Sequence, residues 1–282
     1  MINMCGIQVQ SCLAVIMSFL TVTSERGNTV SVEGKVTLVT GAGRGIGRGI
    51  ALVLAEHGAA IAVNDLHGER AAAVAEEIVA AGGAAVAFGF DVCDRDALLE
   101  AIERIETDLG PIDILVNNAG IPEGRWSGPF MESSPEAWTP YIDLNIYGAM
   151  YCTHAVLPGM CERGWGRVIQ ISSASAARGL AAHGGESVYS ATKAAMEALI
   201  RHVAVEVARR GVTCNAVAPG VMDAAQAYAD PKVIEAVVER VPMGRMGRSR
   251  EIGDAVAWLA SDAAAFVTGQ VIHVNGGAYQ GR

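Results

Sequence analysis

The sequence predicts an α/β protein: one domain built on a doubly wound parallel sheet of about seven strands, with helices on both faces. Two observations carry this. Short runs rich in Val and Ile alternate with longer, Ala-rich amphipathic segments, and strands this apolar need helices over both faces of a parallel sheet. Gly58, Gly82, Gly110 and Gly211 each stand where an amphipathic segment should stop, as glycines at helix C-termini do.

In order, the strand-like runs are Val36–Val39, Ala60–Asn64, Ala85–Phe90, Ile114–Val116, Arg167–Ile171, Thr213–Val217 and Val271–Val274. Helical stretches between them include Ile46–His57, Gly68–Ala81, Asp94–Leu109 and Val188–Arg210. No linker or internal repeat interrupts the pattern, so residues 34–282 are expected to form one domain, with residues 1–33 an extension outside the fold. That extension has no charged side chain before Glu25 and is largely apolar from Cys12 to Val22. As a helix this stretch spans only about 16 Å, roughly half a bilayer core. No Lys or Arg precedes it and no small-x-small site follows, so it does not read as a signal peptide. A start codon set too early, with Met17 as an internal alternative, accounts for it equally well.

The chain has 282 residues, 30 acidic and 21 basic, for a net charge of −9, with 51% hydrophobic and 18% charged residues. So apolar a chain buries enough surface to exclude intrinsic disorder as its main state. An acidic chain without a Lys/Arg block also lacks the electrostatic footprint for nucleic acid. Cys5, Cys12, Cys93, Cys152, Cys161 and Cys214 form no C-x-x-C pair, which argues against a zinc site or disulfide framework and for reduced thiols in the cytoplasm. No metal and no membrane partner is expected.

The first chemical signal follows the first strand: Thr40-Gly41-Ala42-Gly43-Arg44-Gly45-Ile46-Gly47. Glycines there permit a tight turn and let the backbone approach a pyrophosphate, to which the helix beginning near Ile46 offers free N–H groups. No Lys-Ser or Lys-Thr follows, so this is not a Walker-type loop. The second strand ends at Asp65, 18 residues past Gly47, where an acid hydrogen-bonds an adenosine ribose in a Rossmann-type site.

Thr40-Gly-x-x-x-Gly-x-Gly47, Asp91-Val92, Asn117-Asn118-Ala119-Gly120, Ser173, Tyr189-x-x-x-Lys193 and Pro219-Gly220 stand in the order typical of short-chain dehydrogenases/reductases, which the chain resembles from about Gly34 to Gly277. The tail from Val241-Pro-Met-Gly-Arg-Met-Gly to Asn275-Gly276-Gly277 resembles the 3-oxoacyl-carrier-protein-reductase-like branch. The resemblance implies that Tyr189 is the general acid–base. A phenol's ordinary pKa is about 10, so working near neutrality requires a lowering worth about 4 kcal/mol. Lys193, one of only three lysines, lies one helical turn further on the same face, where its ammonium favours the phenolate; in the family it also holds the nicotinamide ribose. Ser173 would hydrogen-bond the substrate oxygen, with Ser172 or Ser175 as alternatives, and Asn145 resembles the asparagine whose helical kink holds a water linked to the lysine.

For the cofactor, the resemblance places Gly41, Arg44, Gly45, Ile46 and Gly47 at the pyrophosphate, Asp65 at the ribose, and Asp91 and Val92 at the adenine. Asn118, Ala119 and Gly120 would pass along the cofactor, and Pro219, Gly220 and Val221 would face the nicotinamide. Asp65 repels a 2′-phosphate while Arg44 resembles the residue that holds one; with no basic residue directly after Asp65, NAD is expected over NADP. Ala224 stands where the family places the Thr that binds the carboxamide, so either Asp223 or Gln226 substitutes or the nicotinamide is held more loosely. Residues 221–241 should cover the pocket, with Trp126, Leu180, Met222 and Tyr228 as candidate lining; no basic patch for a carrier protein's acidic surface stands out, although Arg125, Arg178 and Arg201 could contribute.

The expected activity is hydride transfer between NAD(H) and a small or medium hydrophobic ketone or secondary alcohol. A rival within the class is an NADPH-dependent 3-oxoacyl thioester reductase, and a rival outside it is a non-catalytic dinucleotide-binding regulatory subunit. The resemblance implies a homotetramer or homodimer.

Overall fold

Val36–Val39 form β1, every residue of it buried, and the sheet grows outward from this strand in both directions. The computed structural model describes residues 30–124, 126, 128–178, 186–223 and 231–281. The other strands are β2 (Ala60–Asp65), β3 (Ala84–Gly89), β4 (Ile114–Asn117), β5 (Gly166–Ile171), β6 (Val212–Pro219) and β7 (Val271–Val274). All pair in parallel in the order β3-β2-β1-β4-β5-β6-β7. The chain therefore winds one way from β1 to β3, then returns to β1's other side with β4. The β1/β4 junction is the switch point at which such sheets bind ligands.

Helices α1 (Gly45–Glu56), α2 (Gly68–Ala80) and α3 (Arg95–Asp108) follow β1, β2 and β3, close to the segments expected from sequence. Asp94 begins α3 as an N-cap, its carboxylate accepting the Asp96 and Ala97 N–H groups at 3.1 Å. After β4 come α4 (Pro135–Ile142), a π-helical turn (Asp143–Gly148) and α5 (Ala149–Arg163). Then come α6 (Ser187–Val207), α7 (Pro231–Val238) and α8 (Ser249–Ala260). A short 3₁₀ turn, Ala208–Arg210, continues α6 to the expected stop at Gly211, which takes φ +73°.

One face of the sheet packs Leu38, Leu115, Val168 and Cys214 against Ile105, Cys152, Met160 and Ile200 from α3, α5 and α6. On the other face α1 and α8 meet at backbone distance. A Cβ added to Gly253 would stand 2.7 Å from Val53 Cγ2 and 3.0 Å from the Gly49 carbonyl, and one on Gly49 would stand 2.6 Å from Ser249 Cβ.

Two expectations shift. β3 ends at Gly89, so Asp91 lies two residues beyond the strand rather than at its end. Val32, within the segment assigned to the extension, is buried, and the Val32 and Gly34 N–H groups bond the His57 and Gly58 carbonyls. The chain is thus seated on the fold from Val32 onward, and the compact unit spans Ser31–Arg282. Residues 1–29 of the proposed extension lie outside the described residues. Among the described residues no helix is long and apolar enough to cross a membrane.

Candidate active site

Thr40, just past β1, ties the two strands of the switch point together. Its Oγ1 accepts the N–H groups of Asn118 (3.0 Å) and Ala119 (3.1 Å), while Asn118 Nδ2 donates to the Thr40 and Gly41 carbonyls. The glycine turn folds tightly over this knot. Gly41 sits at φ +62° with a would-be Cβ 2.9 Å from Ala119 Cα, and a Cβ on Gly47 would collide with Asn118 Nδ2 and the Gly41 carbonyl. Arg44, the N-cap of α1, makes no side-chain cap, so no side chain from that position competes for the first-turn N–H groups. A turn that has no room for a Cβ at Gly41, Gly43 or Gly47 and ends in a helix N-terminus fits a pyrophosphate. Sequence reasoning passed over Thr40 as a brace and over Asn64, whose Oδ1 lies 3.4 Å from the Gly41 N–H and whose Nδ2 donates to the Phe88 and Phe90 carbonyls. A polar pair at the ends of two apolar strands was the available signal.

Asp65 ends β2 and is 6% exposed. Its Oδ2 accepts the Gly43 N–H at 3.1 Å and its Oδ1 the His67 N–H at 3.0 Å, so the carboxylate is built into the glycine turn itself. Arg44 is exposed at the rim, and Arg70 Nη1 lies 4.0 Å from Asp65 Oδ1. No base follows Asp65 directly, yet Arg70 reaches it from the first turn of α2, a basic neighbour that reading adjacent positions missed. His67 Nε2 stands 2.8 Å from Glu123 Oε1, which links this rim to the loop after β4. Asp91 is exposed and accepts the Cys93 N–H, while Val92 is buried where a Cβ on Gly148 would meet it at 2.9 Å.

Across the switch point, α6 carries Tyr189 and Lys193 one turn apart. Lys193 is 2% exposed, and its Nζ donates to the Ile171 carbonyl at 2.8 Å and lies 5.6 Å from the Tyr189 ring centre. Burial alone lowers its pKa to about 7. Asn145 is fully buried in the π-helical turn, with no protein partner for its side-chain oxygen or nitrogen. π-Helical turns of this kind recur at functional sites. Lys193 and Asn145 converge on Gly120: a Cβ there would stand 2.5 Å from Nζ and 2.8 Å from Oδ1. The unpartnered amide and the side-chain-free space at Gly120 suit a ribose and a water-linked relay.

The three serines after β5 separate cleanly. Ser172 is buried and its Oγ–H donates to Glu197 at 2.6 Å, which turns it toward α6. Ser173 and Ser175 form a hydroxyl pair at 2.9 Å, with the Ser175 N–H also donating to Ser173 Oγ. Tyr189 meets Tyr141 edge-on, ring centres 6.3 Å apart, and the Tyr141 hydroxyl donates to the Trp126 carbonyl. Beside them lies a cavity of about 290 Å³ lined by Pro122, Trp126, Ala137, Pro140 and Tyr141, among others.

Pro219 ends β6. Gly220 then passes so close to β7's end that a Cβ would stand 2.7 Å from Asn275 Cα, and the Val221 carbonyl accepts the Gly247 N–H. Asp223 is exposed, and its Oδ1 accepts the Ser249 N–H at the start of α8. Met222 is buried against Gly247. Arg178 holds the Ala278 carbonyl, and Arg201 pairs with Glu197. Ala224, Gln226, Tyr228, Leu180 and Arg125 lie outside the described residues.

Residues 41–279 match a family model described as enoyl-(acyl carrier protein) reductase. The chain is 42% identical over 248 residues to a 3-oxoacyl-(acyl-carrier-protein) reductase of Staphylococcus aureus, covering 87% of this chain and 98% of that one. It is 39% identical to an acetoacetyl-CoA reductase of Rhizobium meliloti, over 87% of this chain and 98% of that one. A crystal structure of a 3-oxoacyl-(acyl-carrier-protein) reductase with bound NAD from Brucella melitensis superposes with a TM-score of 0.82 at 34% identity, covering 89% of this chain and 94% of that one.

Proposed function

Because the chain belongs to the short-chain dehydrogenase/reductase family, in its 3-oxoacyl-carrier-protein-reductase-like branch, we propose that it is an NAD(H)-dependent oxidoreductase acting on a carbonyl or secondary alcohol. The observation that carries this reading is the convergence at Gly120 of Lys193 Nζ, from the helix that bears Tyr189, and Asn145 Oδ1, from the π-helical turn.

When bound, the nicotinamide supplies or accepts the hydride. Gly41, Gly45 and Gly47 leave room for the pyrophosphate at the N-terminus of α1, and Asp65 takes the adenosine ribose hydroxyls with the lone pairs not used by Gly43 and His67. Two unit charges 4 Å apart near a protein surface repel by about 4 kcal/mol, so Asp65 disfavours a 2′-phosphate. In reduction the Tyr189 hydroxyl gives its proton to the carbonyl oxygen as hydride reaches carbon; in oxidation the Tyr189 phenolate takes the alcohol proton. The Lys193 ammonium beside the ring favours the phenolate, and its lowered pKa of about 7 lets it exchange protons near neutrality. The Ser173–Ser175 pair presents a hydroxyl to the substrate oxygen.

A second reading, an NADPH-dependent 3-oxoacyl thioester reductase, is favoured by the names of the relatives, by Arg70 beside Asp65 and by Arg44 exposed in the glycine turn. The two are separated by assaying NADH and NADPH independently with acetoacetyl-CoA and a panel of ketones. Tyr189→Phe should lose at least 10²-fold in turnover while still binding NADH; full turnover would refute the acid–base role. In this reading the unit from Ser31 to Arg282 is the catalytic domain of a cytoplasmic homotetramer or homodimer. Exposed Val205, Phe266, Tyr147 and Met150 support that assembly.

A further inference from the structure

We propose that Glu197 and Ser172 form a positioning pair that sets the stance of Ser173 relative to Tyr189, an inference that rests on the roles given to those two residues above. Glu197 lies one turn beyond Lys193 on α6, and its side chain is 8% exposed. A carboxylate buried so deeply is retained only where hydrogen bonds compensate its lost hydration. One oxygen accepts the Ser172 Oγ–H at 2.6 Å, within the range of a charge-assisted bond, and the other accepts Arg201 Nη2 at 3.3 Å from the solvent side.

The end of β5 is thereby held to α6 at two points one helical turn apart: the Ile171 carbonyl by Lys193, and the Ser172 hydroxyl by Glu197. Ser173 comes next, in extended conformation at φ −158° and ψ 148°. Successive side chains of an extended segment point to opposite sides, so a rotation of Ser172 displaces Ser173 the other way. Among the described residues the hydrogen bonds of Ser173 Oγ run to Ser175, its neighbour in the same turn, so they move with the loop. The Ser172 N–H on the Val217 carbonyl and the Lys193 tie at Ile171 hold the backbone here, and the tie to Glu197 is the side-chain contact that sets Ser172 against the helix carrying Tyr189. A catalytic contact displaced by about 1 Å costs up to 10²-fold in rate.

The test compares Ser172→Ala, Glu197→Leu, the double variant and Glu197→Gln. Each is assayed on the panel ketone or thioester that the parent enzyme reduces fastest, with turnover expressed per NADH-binding site. Each of the first two should lower kcat about 10-fold while the NADH Kd stays within about threefold. The double variant should be no worse than the poorer single variant, as expected for two ends of one contact. Glu197→Gln, which keeps an acceptor oxygen for Ser172, should recover most of the loss. Counting sites by NADH binding removes misfolded protein from the comparison, and Ser172→Ala carries the test should Glu197→Leu fail to fold. A kcat within twofold of the parent for Ser172→Ala, or losses that multiply in the double variant, would overturn the proposal. Retained turnover in Tyr189→Phe, run in parallel, would instead sink the acid–base reading itself.

Discussion

Replacing Lys193 by Met should change how stability depends on pH, and burial sets both sign and size. The lysine is 2% exposed and its pKa falls from 10.5 to about 7 in the folded chain. Between those values the unfolded chain holds a proton that the folded chain has released, so stability rises with pH across the window and is flat above it. At about 1.4 kcal/mol per pKa unit, the span amounts to up to about 5 kcal/mol. Methionine has a similar apolar stem and no proton to bind. Lys193→Met should therefore match or exceed the parent in stability near pH 7, despite losing the bond to the Ile171 carbonyl, and should lose that advantage progressively toward pH 10. Urea unfolding of both proteins at equal protomer concentration, at intervals from pH 7 to 10, gives the difference directly. A difference independent of pH would show that Lys193 ionises as freely folded as unfolded, and the burial argument would be wrong.

Gly47→Ala should destabilise the fold by about 1–3 kcal/mol and weaken NADH binding, because the new methyl meets Asn118 Nδ2 and the Gly41 carbonyl; thermal unfolding and NADH titration read the two effects. Asp65→Ala should raise the ratio of NADPH to NADH use by about tenfold or more, since it removes the charge facing a 2′-phosphate and leaves Arg44 and Arg70. An unchanged ratio in kcat/KM would refute the role given to that carboxylate.

Strands were legible because their apolar runs are dense and local: β1 and β7 coincide with the expected segments, and the others agree to within one or two residues. The region from α4 to α5 was not. Pro140 and Pro158 lie inside these helices, where proline normally signals a stop, and the chain accommodates Pro140 just before a π-helical turn. The Tyr189–Lys193 spacing reads directly as one helical turn, so both were visible as a pair. Which serine faces the cleft was not, because Ser172, Ser173 and Ser175 are chemically equivalent until Glu197, 25 residues after Ser172, takes the first of them. Arg70 likewise escaped notice, since its approach to Asp65 depends on where α2 starts rather than on sequence adjacency.

The close seat of α1 on α8, with Gly49 beneath Ser249 and Gly253 beneath Val53, also bears on synthesis. The helix that follows the glycine turn finds its permanent cover in residues translated about 200 positions later, which at typical elongation rates is some 10–40 s. Until α8 emerges from the ribosome, Ile50 and Val53 have only provisional neighbours, and the glycine turn is held from the sheet side alone. Dinucleotide affinity should therefore arrive late, with the last stretch of chain. Nascent chains stalled before Ser249 would then be poor NADH binders even though every residue of the glycine turn has been made.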